Sequence, residues 1–289
     1  MDELLITVLS GVTNGAVYGL VGLGLVIIFQ STDVMNFAMA AMATTASYVA
    51  LSLHNAGVML ALALVVAVLF ASAFGLVVRE VLIRPLGDGR LFAALVVTMG
   101  VAISVEHFVG RQWGEQPRAF PRLVEGTMAI GGSRINTQDL LIIGVAVASM
   151  AGVAFLFRRT SLGSAMRAVA ESSETAAVLG INSQKVARIA WALGVGLATL
   201  GVLLYAPNAG LTPVVLAPVL FRAFAGILLG GLTSMTGAVV GGLVIGVLDN
   251  LAATYVSASF RDTFVFSVAV LVLLVRPQGM FGRQAFVRV

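Results

Sequence analysis

Few side chains in this 289-residue chain could do chemistry, and they fall into two groups. The first lies within apolar runs. Asp249 and Asn250 sit midway along a glycine-rich stretch, where a charge is costly unless it is paired or wetted, so Asp249 either marks a path or anchors helices, or else lies at an interface. Asn14 and Tyr18 share a helix face at i, i+4, and Asn36 follows one turn of chain later; together they could line a polar path or bond helix to helix. Glu106 and His107 read as an interfacial pair within reach of water, and His54 as part of a short outer turn. The second group is a polar stretch, 158–188, between two apolar runs.

Enzymatic chemistry finds little support. There is no cysteine, which removes disulfides, thiolate metal sites and cysteine nucleophiles, and no grouping suggests a metal or other cofactor. No G-x-x-x-x-G-K-[ST] phosphate loop occurs, and the single lysine, Lys185, follows Gln184, so ATP is not hydrolysed here by that route. An intramembrane hydrolase lacks its Gly-x-Ser-Gly, and neither histidine has a nucleophile at a supporting spacing.

The elements that must position these residues are written in composition. Only 10% of residues are charged, 59% are apolar before glycine is counted, and mean hydropathy is +1.04, which places the chain in a membrane. A net charge of +4, carried by arginines scattered between apolar runs, describes membrane topology rather than a nucleic-acid surface. The N-terminus has no positive region or cleavage site, so its apolar run reads as retained.

Apolar runs cover Leu4 to Phe29, Val34 to Leu53, Gly57 to Val78, Leu91 to Gly110, Leu140 to Phe157, Ile189 to Tyr205, Ala223 to Val256 and Thr263 to Val275. The seventh would reach about 50 Å as one helix, against a hydrocarbon core of roughly 30 Å. Gly230, Gly231, Thr233, Ser234, Thr236 and Gly237 interrupt it. It is expected as a half-helix from Ala223 to Leu232, a turn through Thr233 to Thr236, and a full helix from Gly237 to Val256. Small-residue spacing recurs at Gly11, Gly15 and Gly19, at Gly226 and Gly230, at Gly237 and Gly241, and at Gly242 and Gly246, as close helix packing requires.

Orientation follows from Arg and Lys. Arg79, Arg84, Arg90, Arg158, Arg159, Arg167, Lys185, Arg188, Arg276, Arg283 and Arg288 would face the cytoplasm, against Arg111, Arg118, Arg122, Arg134, Arg222 and Arg261 outside. That puts the N-terminus outside and the C-terminus inside, provided the seventh run turns back. The expectation is an all-α, polytopic bundle of about eight spans plus a broken, re-entrant helix, forming one domain over 1–289. Segment 158–188 adds a cytoplasmic helical hairpin: a helix from Ser164 to Leu179 with Ser164 as N-cap, Gly180 in the left-handed region, and Asn182 capping a second helix. A plain amphipathic interfacial helix is the simpler alternative.

Here the residues reach a family. ETAAVLGIN, Glu174 to Asn182, resembles the cytoplasmic Glu-Ala-Ala…Gly signature of ABC importer permeases, with Thr175 splitting the Glu-Ala-Ala. RAVAESSETAAVLGIN resembles the pattern of branched-chain amino acid permeases of the LivH type. The first span with its Asn-Phe-Ala turn, NGAVYGLVGLGLVIIFQSTDVMNFA, resembles the same family. So do FRAFAGILLGGLTSMTGAVVGGLVIGVLDN and LLVRPQGMFGR, and coverage is essentially end to end. The chain departs from it at Met39, Ala40 and Ala41, where the family often has His-Gly-Glu.

The resemblance implies a multi-pass subunit of the bacterial inner membrane, one part of an ATP-driven importer for branched-chain or related amino acids. It implies two ABC ATPase subunits, a second related permease in a heterodimer, and a periplasmic solute-binding protein as partners, with lipid around them and no nucleic acid. Arg167, Glu171, Glu174, Ala176, Ala177, Gly180 and Asn182 would couple to the ATPase; Asn14, Tyr18, Asn36, Asp249 and Asn250 would be candidates for the translocation path; and Gly230, Gly231, Gly237 and Gly241 would serve the broken helix. An ion-gradient-driven secondary transporter of small polar solutes is the rival reading, with an ion held by free carbonyls and Asp249.

Overall fold

The computed structural model describes residues 2–87, 89–130, 133–214 and 217–282; Arg283 and Arg288 of the expected basic tail lie outside them. Among the described residues the chain is a bundle of eleven α-helices with a single two-stranded hairpin. Helix α1 (Asp2–Thr32) runs through the centre and is buried along most of its length. Packed against it are α8 (Ser183–Ala209), α9 (Ala217–Gly230) and α10 (Met235–Tyr255), while α2 (Met39–Asn55) packs on α8 and on flanking helices. The flanks are α3 (Leu60–Val78), α4 (Leu91–Trp113), α5 (Thr137–Arg159) and α11 (Arg261–Val275). Their outward faces carry bare apolar side chains such as Leu69, Ile103, Phe155 and Leu274, as surfaces in contact with lipid do.

Among the described residues, six helices are long and apolar enough to cross a membrane: α1, α3 with its continuation to Leu86, α4, α5, α8 and α10. The expected second and eighth spans are shorter, at 17 residues for α2 and 15 for α11. Helix α2 is enclosed by its neighbours along nearly every turn, so it is apolar because it is core. Strands β1 (Thr127–Ile130) and β2 (Ser133–Asn136) pair antiparallel between α4 and α5, a small addition to an otherwise all-α fold.

The seventh run is broken where the Gly/Thr/Ser cluster predicts. Helix α9 stops at Gly230, the turn passes through Gly231 at φ +108°, and Ser234 caps α10 by accepting the Gly237 N–H at 2.9 Å. The half-helix starts at Ala217 rather than Ala223, so Arg222, expected in an outer loop, lies inside α9. The two pieces lie side by side. The tail returns to them: Met280 and Phe281 donate their N–H groups to the carbonyls of Leu229 and Gly230, each at 2.9 Å, filling acceptors that a helix end leaves open.

The glycine rows turn out to be two contacts. Gly11, Gly15 and Gly19 of α1 meet Gly242 and Gly246 of α10, and Gly226 and Gly230 of α9 meet Gly241 and Gly237 of α10. A Cβ on Gly246 would sit 2.2 Å from the Gly15 backbone, so these helices touch main chain to main chain. A third such contact, Gly24 against Gly194 of α8, carries no glycine spacing in the sequence.

Segment 158–188 departs from the single expected helix. Helix α6 (Ser161–Glu171) is capped by Thr160, whose hydroxyl accepts the Gly163 N–H at 3.1 Å, and not by Ser164, which is exposed one turn further in. Ser172 breaks the helix and caps α7 (Ser173–Val178), because its hydroxyl competes for the Thr175 N–H at 3.1 Å. Gly180 adopts φ +81° and Asn182 accepts the Lys185 N–H at 2.9 Å, both as expected. The helix that Asn182 starts is α8 itself, which continues without interruption into the bundle.

Candidate functional site

The buried charge resolves into an ion cluster. Asp249 has no exposed surface. Its carboxylate meets three helices: it accepts from Tyr18 Oη of α1 at 3.0 Å and from Arg261 of α11 through Nε at 2.8 Å and a second guanidinium contact, and it forms an ion pair with Arg222 Nε of α9 at 3.2 Å. Arg222 also reaches Asp262 Oδ1 at 2.5 and 3.1 Å. Two arginines face two aspartates, so the cluster is neutral, and every oxygen of Asp249 is engaged by protein donors. Such a carboxylate is charge-balanced by the protein itself, and its contacts join α1, α9 and α11 to α10. Full burial of Asp249 sets aside the interfacial reading, and within the other reading, path or anchor, its contacts are those of an anchor.

The other path candidates do not converge on it. Asn250 donates to Gly246 O of its own helix at 3.1 Å, and Asn14 is half-buried on α1. Asn36 is completely buried at the α1–α2 turn, where its Oδ1 accepts the Ala38 N–H at 3.1 Å; its Nδ2 finds no partner among the described residues. Met39, Ala40 and Ala41 are all buried. Ala40 lines an apolar cavity of about 10 Å³ with Val21, Ala43, Ala198 and Leu220, room for one water at most. Glu106 is half-buried and His107 exposed, and the His54 ring closes its turn against Val58 O at 3.2 Å.

At the other end of the bundle, α6 buries Gly163, Met166 and Val169 against Leu23 and Ile27 of α1 and Phe157 of α5. Ala176 of α7 joins the same cluster and is turned inward, so its side chain offers no surface to a partner. Arg167, Glu171, Glu174, Ala177, Gly180 and Asn182 are exposed. Beside them stand Val178, 87% exposed, and Leu179, 72% exposed, an apolar tip on a polar segment.

The sequence reading missed Arg222, Arg261 and Asp262 as partners of Asp249, because all three looked like loop charges. It also missed Glu80, which gathers Arg79, Arg84 and Arg188. The available signal was parity: an aspartate inside an apolar run needs a cation, and Arg222 stands at the head of the same run.

A glycine-packed bundle with a broken helix, a neutral internal ion cluster and an exposed helical hairpin defines a multi-pass membrane protein. The chain belongs to the family described as branched-chain amino acid transport system / permease component, which matches residues 7–275. It is 30% identical to the high-affinity branched-chain amino acid transport system permease protein LivH of Salmonella typhimurium, over 95% of this chain and 94% of that one. BraD of Pseudomonas aeruginosa, with the same description, is 29% identical over the same shares. Among solved structures, PsaBC from Streptococcus pneumoniae in complex with Fab aligns with a TM-score of 0.49 and 13% identity, covering 93% of this chain and 88% of that one.

Proposed function

We propose that this chain is the membrane-spanning permease subunit of an ATP-driven importer for branched-chain or related amino acids, seated in a bacterial inner membrane. It works with two ATP-hydrolysing subunits, a second related permease, and a periplasmic protein that delivers the solute. The observation that carries this is the shape of α6–α7: one face, with Ala176, is packed into the bundle, while Glu174, Ala177, Val178 and Leu179 stand out from it. Apolar side chains held in the open on a capped, rigid helix are a docking surface for a soluble partner. Closure of the ATPases pushes α7, and Asn182 passes the push to α8, which runs 27 residues into the core. The solute path runs between the two permease subunits, consistent with the tight packing around Ala40. Against the secondary-transporter reading, Asp249 is already paired with Arg222 and Arg261 and accepts from Tyr18, which supports a structural use of this carboxylate.

The docking surface is tested by Ala177→Arg in the assembled complex. Uptake and solute-stimulated ATP hydrolysis should fall together by about tenfold or more, as when a charge is forced into a packed contact. Ala170→Arg, on the exposed side of α6, should leave both nearly unchanged. Equal effects from the two variants would remove the docking assignment.

The orientation, with N-terminus periplasmic and C-terminus cytoplasmic, rests on the Arg and Lys distribution. Because the chain has no cysteine, single cysteines can be introduced cleanly at exposed Glu171, Gln278 and Gln116. Impermeant maleimide added to intact cells with a permeabilised outer membrane should label position 116 and spare 171 and 278. Labelling at 171 would invert the topology and remove α7 from the ATPase side.

A further inference from the structure

The last helical turns of α3 continue as a π-helical stretch, Arg79–Ile83, and they meet the first turn of α8 through a dense set of charge contacts. Glu80 is the hub. Arg188 of α8 holds it with Nε at 2.9 Å to Oε1 and Nη2 at 3.2 Å to Oε2, a two-pronged grip of the kind only a guanidinium makes. Arg84 adds 2.9 Å to Oε2, and Arg79 contacts Oε1. Arg79, whose side chain is only 5% exposed, also donates to Gln184 Oε1 at 2.6 Å. Gln184 and Arg188 are one turn apart on α8, so both ends of the Arg79–Glu80 pair grip the same helix face. π-Helical turns interrupt regular backbone pairing and recur where a helix must present side chains out of register. Here the turn brings adjacent residues, 79 and 80, onto one neighbour.

The other side of this first turn of α8 carries the hairpin. Val186 and Ala190 pack with Ala176, Met166 and Val169, and Ser183 Oγ donates to Ser173 O at 3.5 Å. The start of α8 therefore lies between the hairpin and α3. We propose that Glu80 is a positioning residue that makes α3 and α8 move as one body when α7 is displaced. This rests on the importer reading. Without the grip, α8 would slide past α3, and ATP would be hydrolysed with little solute moved.

The experiment uses the complete transporter in proteoliposomes, with Glu80→Gln, Glu80→Asp, Arg188→Gln and the double variant Glu80→Gln/Arg188→Gln. Two quantities are read: solute moved per ATP hydrolysed, and hydrogen exchange of segments 79–86 and 183–188. Each glutamine variant should lower the transport ratio about tenfold with basal ATP hydrolysis retained, and the double variant should be no worse than Glu80→Gln alone, since the Glu80–Arg188 contact is lost in all three. Exchange should rise in both segments together. Glu80→Asp should recover part of the ratio, which excludes a simple folding defect. An unchanged ratio with raised exchange would reduce the contact to a structural tie and overturn the proposal, as would unchanged exchange. Uptake by the unaltered complex without nucleotide would overturn the importer reading instead, and the exchange measurement would still report whether Glu80 joins the two helices.

Discussion

Asp249→Ala should remove most of the folded protein from the membrane. The change takes away the acceptor shared by Tyr18, Arg222 and Arg261 and leaves Arg222, only 8% exposed, with a single carboxylate, Asp262, that is itself largely exposed. Breaking a buried pair by deleting one partner costs about 3–5 kcal/mol, a large share of the roughly 5–15 kcal/mol that holds a typical domain together. Four helices lose their common fastening at once, so the loss should appear as a fall in monodisperse protein after detergent extraction and a lower Tm of what remains. Arg261→Gln should be milder, because Arg261 is partly exposed and Asp249 keeps Arg222 and Tyr18. Wild-type yield and Tm for Asp249→Ala would show that the cluster carries no structural weight.

Adding a single methyl group between α9 and α10 should be nearly as damaging. A Cβ at Gly230 would stand 1.9 Å from Gly237 O, and one at Gly241 would stand 1.9 Å from Gly226 O, with backbone on both sides. Ordinary contact would require the helices to part by about 1.5 Å along the whole hairpin, and the dispersion contacts that hold helices together in lipid would go with it. Gly230→Ala and Gly241→Ala should therefore each abolish uptake and lower assembly. Gly144→Ala in α5, where nothing lies within 4 Å, is the matched control. It should be neutral or slightly stabilising, since alanine is the better helix former by about 1 kcal/mol. If all three variants behave alike in uptake and thermal stability, the close approach is not what these glycines are for.

These cases also show what a single chain of letters can carry. The break in the seventh run was legible because it rests on length and on local residue types, although the turn, expected at Thr233 to Thr236, falls two residues earlier, at 231–234, where Gly231 takes a positive φ and Ser234 caps the next helix. The capping roles of Gly180 and Asn182 were legible for the same reason. Ser172 was not, because a serine in the middle of a helical pattern either faces solvent or cuts the helix, and surrounding packing decides. Glycine rows announced close contacts but not their pairing, which depends on how helices far apart in sequence are arranged. Asp249 was visible as an anomaly, whereas its partners Arg222 and Arg261 were hidden by resembling ordinary boundary charges. Glu80 gave no signal at all: its importance comes from Arg188, more than a hundred residues away.

The hydrogen bonds from Met280 and Phe281 to the end of α9 give the order of synthesis a structural meaning. Helix α9 leaves the ribosome long before the residues that cover its last carbonyls, and α10 and α11 are made in between. During that interval the hairpin has its glycine contacts but an open end. The end is closed only when Met280 and Phe281 fold back over Gly230 and Gly231, where Gly279 and Gly282 leave room for them. A chain cut short before Met280 would contain α1 to α11 and still display the carbonyls of Leu229 and Gly230 without these two donors.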